Sequence, residues 1–345
     1  MGRLYILKNR IRWSLIGVRE LFVLFSLTLT FFANGQDPQF SQFYAAPLYV
    51  NPAFTGNTPQ GRITANYRHQ WPKISGAFVT QTVAYDHYIA DMNSGLGLSM
   101  VRDQSGTGNL GFTSFGASYA YRLAISRKLF LGSGFGAAYV QRSANLSDFK
   151  FSDQIVTGGT TSADGVQNDK ITYADLNSGL VLYSSRFWVG MAGQHLNEPN
   201  ESISGDNSPL PMKFSVHGGV LIPIQKAAKS QTIKSLTLAA NYKTQGKFNQ
   251  LDLGGYYNHQ SVVMGLWYRG IPLLKGAPGY ASNDAIIFLL GYQTETFRVG
   301  YSYDFTVSRL VTHTGGSHEL AIGFEFASKK RRRRVKHALI PCAKF

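Results

Sequence analysis

Apolar and polar side chains alternate with a period of two along most of the chain beyond residue 61. Between Phe297 and Phe305 the odd positions are Phe297, Val299, Tyr301, Tyr303 and Phe305, and the even ones are Arg298, Gly300, Ser302 and Asp304. Leu320, Ile322, Phe324 and Phe326 alternate with Glu319, Ala321, Gly323 and Glu325. Leu236, Leu238, Ala240 and Tyr242 alternate with Thr237, Ala239, Asn241 and Lys243, and Ile63, Ala65 and Tyr67 with Thr64, Asn66 and Arg68. A helix would scatter these apolar residues around its circumference, so the pattern predicts strands. Such segments fall near 62–70, 79–88, 94–102, 108–122, 128–143, 171–183, 187–196, 213–223, 232–244, 248–257, 262–269, 284–293, 297–305 and 318–326. The count is even, as a closed single-chain bacterial barrel requires.

The connections give an independent reading. In an outer-membrane barrel with its first strand rising from the periplasm, links after even strands are short turns and links after odd strands are longer surface loops. Short links are predicted at 89–93, 123–127, 184–186, 258–261 and 294–296, and long ones at 71–78, 144–170, 197–212, 270–283 and 306–317. Residues 224–231 are long for a turn, and the links near 103–107 and 245–247 are short for surface loops. A β-sandwich or propeller also alternates and carries glycine turns. It fits less well, because one face here is aliphatic and aromatic and the other is Gly, Ala, Ser, Thr and scattered charge. Gly132, Gly134 and Gly136 lie on one face of a single strand, which leaves space in a lumen and lets another backbone approach closely. The expectation is an all-β, 14-stranded antiparallel transmembrane barrel spanning 62–328.

The first thirty-five residues stand apart. Arg3, Lys8, Arg10, Arg12 and Arg19 precede the run Leu21 to Phe32, and Ala33, Asn34 and Gly35 supply the small residues that a signal peptidase reads. Cleavage is expected between Gly35 and Gln36. The run is shorter than the roughly twenty residues of a spanning helix, which argues against a signal anchor. No second run of spanning length follows, so a polytopic helical protein is excluded. Charged residues are only 15%, with 36 Gly, 19 Tyr and 23 Phe, which suits strands facing lipid on one side and a crowded lumen on the other.

The formal net charge of +15 is unevenly placed. Residues 1–35 contribute +4 and residues 329–345 contribute +8, which leaves the body from 36 to 328 with only +3. The run Lys329 to Lys336, with Arg331, Arg332, Arg333, Arg334 and Lys336, has the composition of a nucleic-acid patch, but behind a leader and a final barrel strand no nucleic-acid partner is expected. Its readings are a solvated tail, or a periplasmic docking arm for an acidic partner or anionic head groups. The tail ends in Ala338-Leu339-Ile340-Pro341-Cys342-Ala343-Lys344-Phe345, an apolar finish that a purely solvating tail would not need.

Catalytic chemistry is hard to find. The histidines are dispersed, with no HExxH, GxSxG, P-loop or dinucleotide-binding spacing, and the single Cys342 rules out an intrachain disulfide framework. Groups of a barrel-rim hydrolase meet only in three dimensions, so a missing motif is no disproof. The expectation is nonetheless a non-enzymatic protein with no catalytic residues, no cofactor and no metal.

The opening of the mature chain carries a family resemblance. Gln36-Asp37-Pro38-Gln39-Phe40-Ser41-Gln42-Phe43-Tyr44, then Pro47 and Asn51-Pro52-Ala53-Phe54-Thr55-Gly56, resembles the start of PorP/SprF proteins. The likeness continues through Tyr67-Arg68-His69-Gln70-Trp71-Pro72, Tyr85-Asp86, Gly95-Leu96-Gly97 and the closing Pro341-Cys342 and Phe345, and it covers essentially the whole mature chain. Ala343 departs from the Pro expected after the Cys. The resemblance implies a fourteen-stranded outer-membrane barrel of Bacteroidetes, associated with type IX secretion and gliding motility. It also implies the partners: a secreted type IX cargo, often a large adhesin, and periplasmic ring or motor-linked lipoproteins, besides outer-membrane lipid. Residues 36–61 are then a periplasmic or plug segment, with Asp37, Pro38, Phe40, Ser41, Gln42, Tyr44, Asn51, Pro52, Ala53 and Gly56 as plug or partner residues. Its prolines stiffen it and its aromatics can pack into the lumen or its mouth. The tail residues Arg331, Arg332, Arg333, Arg334, Lys336, Pro341, Cys342 and Phe345 are candidates for periplasmic docking. Both termini are expected in the periplasm, with 144–170 and 197–212 outside as candidate cargo contacts. The expected function is to anchor or help export a surface protein that bears a C-terminal secretion signal. The alternative is a passive porin or uptake channel.

Overall fold

The alternation resolves into strands β1 (Arg62–Gln70), β2 (Phe78–Ile89), β3 (Ser94–Ser105), β4 (Leu110–Ala124), β5 (Phe130–Ser143), β6 (Lys170–Tyr183) and β7 (Phe187–Gln194). The second half supplies β8 (Lys213–Lys226), β9 (Thr232–Gln245), β10 (Phe248–His259), β11 (Val262–Ala277), β12 (Tyr280–Gln293), β13 (Phe297–Thr306) and β14 (Ser317–Glu325). Each pairs antiparallel with its neighbours in sequence. The first also pairs with the last, from Arg62 against Glu325 to Gln70 against Ser317, so the fourteen strands close. This structure, a computed structural model, describes residues 37–58, 61–106, 110–145, 152–159, 170–203, 207–226, 232–277, 280–307, 314–326 and 340–341. The chain divides into the units Met1–Asp37 and Pro38–Phe345, and the second holds the barrel.

The side-chain pattern explains why this sheet belongs in a membrane. The apolar phase is the exposed one: Val83, Leu96, Leu98, Phe115, Phe135, Met191, Leu266, Phe288 and Leu290 all stand on the outer surface. The polar phase is buried: Thr64, Asn66 and Arg68 on β1, and Arg298, Ser302 and Asp304 on β13, face the interior. A water-soluble sandwich has the opposite polarity, whereas a barrel in lipid turns its apolar band outward. No helix among the described residues is long and apolar enough to cross a membrane; the strands do so.

Links after even strands (90–93, 125–129, 184–186, 227–231, 260–261 and 294–296) are all short, and the long links 144–169, 195–212 and 307–316 follow odd strands. Two expectations need correction. Residues 270–283, read as a surface loop, are instead a hairpin, because β11 runs to Ala277 and β12 starts at Tyr280. Register shifts after Arg269, Ile271 and Lys275 let the ladder continue through this stretch. Likewise the stretch 224–231, read as an over-long turn, begins as strand, because β8 continues to Lys226; residues 227–231 lie outside the described residues.

The sequence also reads 197–212 as either a cargo contact or a solvated loop. It is ordered where described, with Asn200 bridged to Pro209, Leu210 fully buried, and Glu201 paired with Arg142 at 2.8 Å.

Candidate functional site

Residues 38–58 occupy the lumen. Their prolines break them into short pieces: a 3-10 turn Phe43–Ala45, one helical turn Pro47–Val50 and a second 3-10 turn Pro52–Phe54. Pro47 and Pro52 stand at the first position of their turns, where a missing N–H costs nothing. Ser41, Asn51, Thr55 and Gly56 between them bond to β1, β2, β4, β6, β7, β8, β11, β13 and β14. Only a segment inside the closed sheet can touch strands on all sides of it.

The first anchor is a buried charge network on the half of the barrel nearer the long links. Glu319 accepts the backbone N–H groups of Ser41 (2.6 Å) and Gln42 (3.0 Å). The Ser41 hydroxyl donates to Asp304 at 2.6 Å and accepts from both Arg68 and Arg269. Asp304 lies 2.8 Å from Arg68 and 3.0 Å from Arg269, and Arg269 also reaches Asp252 at 3.0 Å. Charges this deeply buried are tolerable only when each meets opposite charge and hydrogen-bond partners. Ser41 and Gln42 complete the set, so the segment is part of what makes the network affordable. Beside it Phe43 packs edge-on to Trp267 at 5.2 Å and Tyr44 edge-on to Tyr256 at 4.6 Å, geometries that aromatic quadrupoles favour.

The second anchor is Asn51. Its Oδ1 accepts from Ala53 N at 2.8 Å, capping the following turn. Its Nδ2 lies 3.2 Å from the Leu180 carbonyl, 3.1 Å from that of Met191 and 3.0 Å from His217 Nε2. Two lumenal glycines admit this stretch. A Cβ on Gly134 would collide with the Pro52–Ala53 backbone, and one on Gly179 with the Asn51 amide. Gly179→Ala is therefore expected to unseat Asn51, at a cost of about 1–2 kcal/mol from the lost cap alone. Chymotrypsin checks this on the detergent-purified barrel. The wild type should resist cleavage at Phe43, Tyr44, Tyr49 and Phe54, and the variant should be cut there. Equal resistance would show that the glycine is not needed for seating.

The third anchor lies at the rim beside the short links. Gly56 N donates to Asp86 at 2.7 Å, and Asp86 is also gripped by Arg62 through two bonds of 2.9 and 3.1 Å. Arg122 donates to the Thr55 carbonyl at 2.8 Å. Gly56 has φ +69 and packs its backbone on that of Gly95, so both conformation and contact require glycine there. The tail of the chain returns to the same place. Ile340 is fully buried against Phe54, Phe130, Val181, Tyr183 and Trp188, and its N–H donates to Asn57 Oδ1 at 2.9 Å. Ile340→Asp puts an unpaired carboxylate into that cluster. It is expected to lower the unfolding midpoint in detergent by the equivalent of about 3 kcal/mol, less to the extent that the tail swings into water. An unchanged midpoint would mean that the tail contact carries no stability.

Of the residues picked from sequence, Phe40, Ser41, Gln42, Tyr44, Asn51, Pro52, Ala53 and Gly56 are buried in this segment, and Pro38 begins it half-exposed. Asp37 belongs to the other unit. Pro341 is buried beside Ile340 rather than displayed. Gly35, Gln36, Arg331, Arg332, Arg333, Arg334, Lys336, Cys342 and Phe345 lie outside the described residues. The sequence reading did not single out Arg269, Asp252, Arg122 or Gly179. Their signal was a charge or a glycine on the inward phase of a strand. Among the described residues no group of three or more His, Cys, Asp or Glu could hold a metal ion. What the lumen holds by side-chain chemistry is polypeptide backbone.

The sequence profile described as "Type IX secretion system membrane protein PorP/SprF" matches residues 32–324. No curated protein matches the chain. Among solved structures it is similar to the Pseudomonas putida toluene transporter TodX, with 8% identity, a TM-score of 0.49, and coverage of 81% of this chain and 94% of that one. BamA from Haemophilus ducreyi lacking POTRA domains 1–3 follows at 10% identity and a TM-score of 0.40, covering 77% and 70%. The KdgM porin in complex with disordered oligogalacturonate is similar at 7% identity and a TM-score of 0.37, covering 76% and 99%.

Proposed function

Since the chain belongs to the PorP/SprF family of type IX secretion system membrane proteins, we propose that it is a non-enzymatic outer-membrane barrel. It anchors or helps export a large surface protein that carries a C-terminal secretion signal. The short links face the periplasm, and the long links, above all 195–212, face the cargo. The basic run and the tail serve periplasmic partners of the secretion machinery. The observation that carries this reading over a passive channel is the segment 38–58, held across the lumen by anchors on opposite walls. A diffusion channel needs a continuous water-filled path, whereas a barrel used as a scaffold gains rigidity from a filled interior.

A chromosomal deletion tests the role. Loss of the gene should remove one or a few C-terminal-signal-bearing proteins from the cell surface, with recovery on complementation. An unchanged surface proteome together with slower uptake of a small solute would favour the channel.

A further inference from the structure

The apolar band on the outer surface does not reach equally far on all strands. Partners in register place Tyr67, Gln81, Arg102, Thr113, Gln141 and Thr172 in one continuous row across β1 to β6. All six belong to the outward phase and stand two or three residues in from the long-link ends of their strands. On β7 to β10 the corresponding row is Met191, Val216, Tyr242 and Leu251, each three residues in. A charged or polar side chain on the lipid face is costly toward the bilayer midplane and tolerated near the interface. The outward face of β1 to β6 therefore meets polar groups at a strand depth where β7 to β10 still meet acyl chains.

The charge of this polar face has one sign. Arg102 and Lys170 are exposed, and His69 stands opposite His318 across the β1–β14 seam. The Tyr301 hydroxyl lies 2.7 Å from Nδ1 of His318 and orients its ring. The acids of β1 to β6 are on the inward phase instead: Asp86 and Asp175 are buried, and Asp103 accepts from the buried Thr80. Two residues further in, Val83, Met100, Phe115 and Tyr139 form the next row, and all four are exposed. A polar, basic row directly over an apolar one, repeated strand after strand, matches an amphiphile with its head group above its acyl chains. Six strands span about 24 Å from first to last, broader than a single phospholipid head group. The guanidinium fork of Arg102 suits phosphate, and the amides and hydroxyls beside it suit sugar hydroxyls.

We propose that the outward face of β1 to β6, centred on Arg102, binds the phosphorylated saccharide head group of an outer-leaflet glycolipid of the lipopolysaccharide class. Its acyl chains lie along Val83, Met100 and Phe115. The assignment rests on the placement of the long links outside the cell given under Proposed function.

Titration of labelled lipopolysaccharide into the full-length barrel in mild detergent tests the assignment, with phosphatidylglycerol as the comparison lipid. The wild type should bind lipopolysaccharide more tightly than phosphatidylglycerol. Arg102→Gln should weaken that binding about fivefold, the contribution of one cation beside an anionic head group, and Arg102→Lys should restore most of it. Arg127→Gln, exposed in the short link 125–129, should leave it unchanged. Equal binding of the two lipids, or equal losses at Arg102→Gln and Arg127→Gln, would overturn the proposal. The orientation is read separately on intact cells, where Ser208→Cys in the link 195–212, in a Cys342→Ala background, should label with a membrane-impermeant maleimide. Labelling only after the outer membrane is permeabilised would put the row in the inner leaflet and overturn the proposal through its premise, whatever the titration shows, which separates the two failures.

Discussion

A barrel lacking residues 38–58 should conduct ions steadily in planar bilayers, and the full-length chain should be silent. Barrels of about eight strands are filled by their own side chains, and those of about sixteen leave an aqueous channel. At fourteen strands the wall alone does not close the lumen. The segment packs across it, with Phe43 and Tyr44 in one apolar cluster and Ala53 and Phe54 in another. Removing it exposes a lining rich in Thr64, Asn66, Thr82, Asn241 and Ser302 together with the charges around Asp304, a surface that water wets readily. The strand ladder is continuous without the segment, so the deletion should still give a folded, heat-modifiable band on a gel. Equal silence of the truncated and full-length barrels would show that something other than residues 38–58 seals the lumen. A full-length barrel as conductive as the truncated one would remove the argument against a channel.

The largest single-residue effect is expected at Arg269. Its guanidinium is fully buried and links β10, β13 and the plug through Asp252, Asp304 and Ser41. Arg269→Met keeps much of the volume and takes away the charge. As opposite charge Asp304 then keeps Arg68 at 2.8 Å, beside the Ser41 hydroxyl, and Asp252 keeps Lys243 at the longer 3.7 Å, beside the Gln250 and Asn241 amides. Removing one partner of a buried ion pair typically costs about 3–5 kcal/mol, because the remaining charge stays desolvated. The midpoint of urea unfolding in detergent should fall accordingly. Ser41→Ala, which removes one hydroxyl from the same network, should cost on the order of 1 kcal/mol. A loss at Arg269→Met no larger than that of Ser41→Ala would mean that water has access to the cluster and that the network is not a dry anchor.

Much of this architecture can be read directly from the sequence. Strand number, closure and the parity of the links follow from period-two alternation, and the observed β1 runs over the expected 62–70. The glycines of β5 foretold close approach of another backbone, and Pro52 and Ala53 supply it at Gly134. What a linear reading could not supply was which distant residues meet. Ser41 and Arg68, Gly56 and Asp86, and Thr55 and Gly95 belong to motifs that look independent along the chain, yet each pair is one contact in the lumen. Alternation says that Asp252, Arg269 and Asp304 point inward; it does not say that they converge, because convergence depends on the stagger between strands far apart in sequence. The hairpin of β11 and β12 was hidden for a different reason. Gly270 and Pro272 interrupt the alternation that marks a strand, and bulges let the ladder continue past them. The return of Ile340 was foreshadowed only by an apolar finish behind a basic run.

The proposed role requires that this barrel hold a protein partner. The most direct measurement is a mild-detergent pull-down from outer membranes of a copy tagged in the 195–212 link, away from both termini, followed by mass spectrometry. The prediction is recovery of one large surface protein with a type IX C-terminal domain, together with periplasmic components of the secretion machinery. A barrel that comes down alone, reproducibly and after crosslinking, would contradict the anchoring role.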